Sequence, residues 1–308
     1  MKQFTLLIIF LFFIQCSGRE VRLTVQGASY CLSSKLHLQT ESPTLEEATA
    51  MMADSELTTK FSPKSIRMAI AYGIFKDLKE FTRLAKGNKN SPELLKLETK
   101  IYKTLQAISL DIDSITSEYS CYVDRFTEII TMMKEKEDDI VQSNTLYAIM
   151  SGAIAAILDG STVYDTGFNQ GIILTGGILV SYFSYRAFNP NITIEFKPKS
   201  TNLKEIWFNV ETSSNYSKPM WFLMTKPLLK DELCIRDLLA KRWVENHFLG
   251  SEEEREYHIN LFFGEGGVST INHITNRREM NNEVRSLIFL LKQDLKGLQI
   301  EMENLLKK

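Results

Sequence analysis

Histidine and cysteine are scarce in this chain and neither charge is in excess, and each scarcity removes a class of function. The formal charge of -2 and a pI near 6.2 give no global field that would gather a polyanion, so no nucleic-acid partner is expected. The four histidines, His37, His247, His258 and His273, are scattered, and none forms HExxH or a helical pair beside acids. Glu252, Glu253 and Glu254 come nearest to His258, and the helix dipole accounts for acids in a first helical turn. There is no GxSxG elbow. Gly264-Glu265-Gly266-Gly267 is not followed by Gly-Lys-Ser/Thr, and Glu265 would repel phosphate, so it reads as a helix-breaking turn. Lys241-Arg242-Trp243, Arg277-Arg278 and Asp138-Asp139 read as solvated helix surface. No residue constellation supports an enzyme, and none implies a metal or cofactor.

Cysteine usage and the amino terminus bear on compartment. Phe4 to Ile14 form a short apolar run behind Lys2, and Cys16-Ser17-Gly18 follows as a small-residue stop, the layout of an export signal. Phe13-Ile14-Gln15-Cys16 resembles a bacterial lipobox, with Gln15 departing from the small residue usual before the cysteine. That resemblance implies acylation of Cys16, and plain cleavage before Arg19 is the other outcome. Cys31, Cys121 and Cys234 remain after processing, enough for at most one intramolecular bridge, and their spacing fits neither a metal ribbon nor CxxC. Buried or partly buried thiols are the simplest reading. The sequons at Asn191 and Asn215 matter only in a eukaryotic secretory pathway.

Charge is rarest between Val141 and Tyr185, where only Asp159 and Asp165 interrupt a glycine-rich apolar stretch. Its limbs, Val141 to Leu158 and Thr166 to Tyr185, are each uncharged over about the length that crosses a bilayer core as helix. Gly152, Ala155 and Ala156 in the first limb, with Gly167, Gly171, Gly176 and Gly177 in the second, remove bulk where two helices can approach closely. The same composition suits a pair of helices inside a soluble bundle, so lipid and protein core both stay open as surroundings. In an exported chain Lys134, Lys136 and Arg186 would lie outside, against the positive-inside rule, which disfavours an ordinary inner-membrane hairpin.

Two long amphipathic stretches flank this segment. Leu105, Ile108, Ile112, Ile115, Tyr119, Tyr122, Phe126, Ile129 and Met133 alternate spacings of four and three behind a Ser91-Pro92 helix start, and Val284, Ile288, Leu291, Leu295, Leu298, Met302 and Leu305 repeat the pattern. The two seams are expected to pack together. Ser62-Pro63 opens an earlier helix with Ile66, Ile70, Ile74, Leu78 and Phe81 on one face, ended at Gly87. Further helices are expected from Ser42-Pro43, over Leu228 to Phe248, and from a Ser251/Glu254 capping box. Ile192, Ile194 and Phe196, then Ile206, Phe208 and Val210, alternate with polar residues and, with Met220 to Thr225, predict a small antiparallel sheet.

The expected protein is mainly α: a long-helix bundle with coiled-coil-like pairing, a hydrophobic helical hairpin and a small antiparallel β segment. Its expected divisions are an export signal over 1–18, a tether with a short helix over 19–61, and long helices over 62–140. The hairpin over 141–186, the β segment over 190–226 and C-terminal helices over 228–308 complete them. These features imply an exported, lipid-anchored, membrane-associated envelope protein with a structural or interaction role, partnered by a membrane, by copies of itself or by another envelope protein. Long helices carrying a hydrophobic hairpin also resemble the general plan of α-helical pore-forming toxins, which implies insertion of 141–186 into a target membrane as the alternative.

Overall fold

The computed structural model describes residues 21–24, 31, 41–87, 89–159, 166–196, 202–229 and 233–307. The described chain runs β1 (Val21–Thr24), α1 (Leu45–Met52), α2 (Ser55–Thr58), α3 (Pro63–Ala71), α4 (Phe75–Ala85), α5 (Pro92–Asp159) and α6 (Thr166–Phe188). It continues through β2 (Ile192–Phe196), α7 (Asn202–Phe208), α8 (Lys218–Thr225), α9 (Ile235–Glu245), α10 (Arg255–Phe263), β3 (Gly267–Ser269) and α11 (Ile271–Lys307). It is mainly helical, as expected, and divides into two compact units. One comprises Met1–Gln26, Thr127–Phe196 and Gly267–Ile274; the other comprises Gly27–Phe126, Lys197–Gly266 and Thr275–Lys308.

The second unit holds the larger core, built where α5 and α11 lie side by side. Lys292 Nζ reaches Asp113 Oδ2 at 2.8 Å, and the Arg277 guanidinium lies 5.8 Å from the centre of the Phe126 ring. Position rises along α5 as it falls along α11, so the two helices are antiparallel. Ile112, Ile115, Phe126, Ile288 and Leu295, the residues assigned to the seams, are all buried. Burying these stripes is what holds two helices of this length out of water, at about 25 cal/mol for each Å² of apolar surface removed. Around them α3 is tied to α11 by Arg67 to Asp294 at 3.1 Å, and Ser62 N donates to the Glu301 carboxylate at 3.2 Å.

Local sequence explains where the helices start. Thr44 and Glu47 form a capping box that opens α1, two residues after the Ser42-Pro43 start expected from sequence. Ser62 caps α3 by accepting from Ser65 N, and Ser91 accepts from Leu94 N at the head of α5. Residues 45–61 hold α1, in the place of the short helix expected there, and α2, and their Ala48, Leu57 and Phe61 are buried in the core. The helix expected over 63–87 is two helices, because Gly73 adopts a φ of 72° that glycine alone takes without strain, and the chain turns there between α3 and α4.

The β prediction is half right. β2 forms at Ile192–Phe196 as expected, but its antiparallel partner is β3 and it also pairs in parallel with β1, giving the order β1-β2-β3 within the first unit. The alternating run at Ile206, Phe208 and Val210 falls on α7 and the residues after it, where Leu203 and Ile206 are buried at helical spacing and Trp207 stacks on Phe263 with centroids 5.4 Å apart. Met220 to Thr225 is α8, fixed by Ser217 as its cap and Pro219 in its first turn; a fully buried run carries no period that separates strand from helix. β3 itself begins at Gly267, within the stretch read from sequence as a turn. The helix expected from Leu228 begins at Ile235. Ser251 does pair with Glu254, whose Oε2 accepts from Ser251 N and Oγ at 3.3 and 3.1 Å, yet regular helix starts one residue beyond, at Arg255.

Candidate functional site

The first unit carries the feature that sequence marked out. α5 does not stop at Asp139; it runs as one helix of 68 residues to Asp159, about 100 Å of helical rise. α6 returns along its apolar end. A Cβ placed on Gly176 would fall 2.4 Å from the Ala155 Cβ, a Cβ on Gly152 would meet Val180 at 3.5 Å, and the Tyr147 and Phe183 rings lie 5.4 Å apart. These contacts descend α5 as they ascend α6, which defines an antiparallel hairpin whose backbones approach at the small residues.

The small residues divide by position. Gly152, Ala155 and Gly176 lie between the limbs, whereas Ala156 is exposed and Gly177 faces open space, with nothing within 4 Å of a Cβ built there. Gly167 and Gly171 belong to α6, and their surroundings fall outside the described residues, as do residues 160–165 and the candidate lipid site Cys16.

Outward faces of the hairpin are apolar and uncovered. The most apolar 18-residue window of α5 has a mean hydropathy of 1.3 and is only 6% buried, and α5 is the one helix among the described residues long and apolar enough to cross a membrane. Ile149, Ile157, Leu174 and Phe188 are 64, 72, 68 and 83% exposed. A helix in the core of a soluble bundle has the opposite burial. Four polar side chains of the limbs turn back on their own helices: Asn144 donates to Ile140 O, Thr145 to Val141 O, Ser151 to Tyr147 O and Ser181 to Gly177 O, at 2.7 to 2.9 Å. Internal satisfaction of this kind is what a hydrocarbon environment demands. Tyr147, Tyr182, Phe183, Tyr185 and Phe188 collect where α6 ends, with Arg186 3.5 Å from the Tyr182 hydroxyl, the amphipathic composition that suits a membrane–water interface.

A second polar feature lies inside the other unit, on the inner side of α5. Asp111 Oδ2 accepts from Ser217 Oγ at 2.6 Å and from the Tyr72 hydroxyl at 3.3 Å; Asn202 donates to Glu118 at 2.8 Å; and the Tyr119 and Tyr216 hydroxyls are hydrogen-bonded to each other. Burial pushes the Tyr72, Tyr119 and Tyr216 hydroxyls above their ordinary titration range, and it pushes Tyr122 up to about 12. Arg277 donates to Phe262 O at 2.9 Å, and burial draws its guanidinium down to about 9, still charged at neutral pH. Ser217 is 1% exposed and its hydroxyl is engaged in capping α8, so its contact with Asp111 joins helices rather than presenting a nucleophile to substrate. Sequence gave no sign of this cluster, because its members are distant along the chain.

The remaining cysteines resolve into a bridge and a thiol. Cys31 and Cys121 form a disulfide across 90 residues, a pairing that spacing could not reveal. Cys234 is buried, and burial raises its thiol, an inert environment for that group. His258 is also buried, against the turn at Gly250. No group of three or more histidine, cysteine or acidic side chains among the described residues is placed to hold a metal ion. No protein-family model, curated protein or solved structure matches this chain.

Proposed function

We propose that this is an exported, membrane-associated helical protein of the cell envelope, held at the membrane by its 141–186 hairpin and by a lipid on Cys16, with a structural or interaction role. The observation that carries the reading is the uncovered apolar surface of the hairpin, combined with the bonding of Asn144, Thr145, Ser151 and Ser181 to their own helix backbone. The Cys31–Cys121 disulfide supports export, since such bridges persist in oxidising compartments. Entry from the exported side leaves Lys134, Lys136 and Arg186 outside, which favours an outer or foreign membrane over the inner one.

The pore-forming reading draws its support from α5, a helix of 68 residues whose apolar end forms one limb of the hairpin. One experiment separates the two. Protein lacking residues 1–18 is mixed with phosphatidylcholine–phosphatidylglycerol vesicles holding a self-quenched dye, then floated on a density step. Flotation without dye release is expected for the envelope protein, and flotation with release for the pore former. Protein that stays at the bottom of the gradient overturns the hairpin reading.

A further inference from the structure

Within the second unit, α3, α4 and α8 are tied to one side of the α5–α11 pair. Arg67 binds Asp294 and Ser62 N reaches Glu301 on α11, while on α5 Lys100 binds Asp77 at 2.7 Å and Asp111 accepts from Ser217. Lys296, Glu303, Tyr102 and Asp113 each come two residues after one of these anchors. Two residues turn about 200° around a helix, so this second set stands on the opposite side. There the two helices leave a groove of about 620 Å³, lined by Tyr102, Leu105, Gln106, Phe289, Lys292 and Lys296 among others. Phe289 and Ile300 of this face are exposed, as is Leu95, seven residues before Tyr102 on the same side of α5.

Charge is divided along the face. Lys292 and Lys296 stand toward its Phe289 end, whereas Glu98 and Glu303 lie close enough to Tyr102, toward the other end, to oppose ionisation of its hydroxyl. Lys292 is held by Asp113, but Lys296 is exposed and has no ion-pair partner among the described residues. An anionic ligand would suit Lys296 and be repelled by Glu98 and Glu303, whereas a second copy turned end for end answers both signs. From this charge pattern we propose that the groove face binds a second copy of the chain. The two-fold axis crosses α11 near Ile300, so that α11 meets α11, α5 meets α5, and Lys296 of each copy stands opposite Glu303 of the other. Reversal also lays the Phe289 end of one face on the Leu95 end of its partner. The face runs about 27 Å from Leu95 to Asp113 and is two helices, about 20 Å, across, so a pair of copies buries about 1,100 Å², just above the about 1,000 Å² that a specific interface requires.

This surface belongs to the second unit and does not depend on what surrounds the hairpin, which lies in the first. For the test, the full-length chain is held in nonionic detergent, so that the hairpin is covered in every sample, and its mass is followed over a concentration series by sedimentation equilibrium. The parent is expected to dimerise. Lys296→Glu and Glu303→Lys each set like charges against one another at both symmetry-related contacts, and each alone should weaken association by about tenfold or more. Mixed in equal amounts, the two variants carry opposite charges at both contacts, and the dimer should return. Circular dichroism melts of the variants are expected to match the parent. A parent that stays monomeric overturns the proposal and leaves the groove to a different protein. A parent dimer that neither variant weakens also overturns it and moves the association to another surface, the hairpin included. A mixture that associates no better than its components does the same, because opposite charges would then not meet across the axis.

Discussion

Gly176 lies against Ala155 so closely that the limbs of the hairpin meet there backbone to side chain, while the adjacent Gly177 looks into open space. Neighbouring glycines of the same helix thus have different duties. One sets the distance between α5 and α6, and the other belongs to the outer surface. The hairpin's own cohesion comes from shape at a few positions, and its outer faces make no demand on shape at all.

Replacement of Gly176 by leucine is therefore expected to force the limbs apart. Its Cβ would begin 2.4 Å from the Ala155 Cβ, and overpacking of this kind costs about 1–3 kcal/mol. Leucine at Gly177 is expected to be neutral. Thermal melts followed by circular dichroism, with flotation alongside, read both; equal behaviour of the two variants would refute the close approach.

On the α5–α11 seam, Ile112→Asp and Leu295→Asp each place a charge in a buried apolar contact and are expected to cost about 4 kcal/mol or more. Leu110 supplies the control on the same helix, because it is 63% exposed and Leu110→Asp should stay within about 0.5 kcal/mol. Urea unfolding midpoints check this. Parent-like midpoints for both seam variants would show that α5 and α11 do not depend on each other.

The Cys31–Cys121 bridge closes a long loop in the unfolded chain. For a sequence separation of 90 the loop-entropy model gives a stabilisation on the order of 4–5 kcal/mol, an upper figure because native strain and residual unfolded structure reduce it. The double variant Cys31→Ser, Cys121→Ser should unfold at a markedly lower urea concentration. Cys234→Ser should change it little. Identical midpoints for bridged and unbridged protein would leave the disulfide without a stabilising role.

Much of this architecture was legible because long period is a strong signal. Seven or more apolar positions at alternating four and three identified each seam, and the near absence of charge between Val141 and Tyr185 identified the hairpin. Short elements were harder for a physical reason. Ile206 and Phe208 alternate as strand residues do, yet α7 is decided by burial of Leu203 and Ile206 and by the Trp207–Phe263 stack, contacts that lie far along the chain. β3 is only Gly267–Ser269 and exists through pairing with β2, so nothing local announces it. Within the hairpin, composition named the small residues, but only geometry separates Gly152, Ala155 and Gly176 between the limbs from Ala156 and Gly177 outside.

Alkaline pH should destabilise the second unit. Unfolded tyrosine titrates near 10, and the folded hydroxyls of Tyr72, Tyr119 and Tyr216 titrate higher because burial opposes their charged form. Above about pH 10 the unfolded chain releases protons that the folded chain retains, so stability falls with rising pH. Each tyrosine contributes about 1.4 kcal/mol per pH unit, and three together about 4. Urea midpoints measured from pH 8 to pH 11 should be level at first and then drop, and Tyr216→Phe should reduce the slope; a flat profile to pH 11 would contradict burial of these hydroxyls.

A lysine on the outer face of the hairpin distinguishes lipid from a protein cover. Ala155 is unsuitable for this purpose, since it touches Gly176 and a lysine there would disturb the hairpin itself. Ile157 and Ile173 are 72 and 49% exposed, so Ile157→Lys and Ile173→Lys each leave the new charge in contact with solvent, and thermal stability in solution should change little. In a bilayer the same charge opposes insertion by about 2.5–3.5 kcal/mol near the centre, a loss of roughly two orders of magnitude in partitioning. The expected result is a parent-like melt with vesicle flotation largely lost, the second more severely at low protein concentration. Should either lysine lower the melting temperature while flotation persists, the outward faces must be covered by protein, and copies of the chain or another envelope protein would replace lipid as their partner.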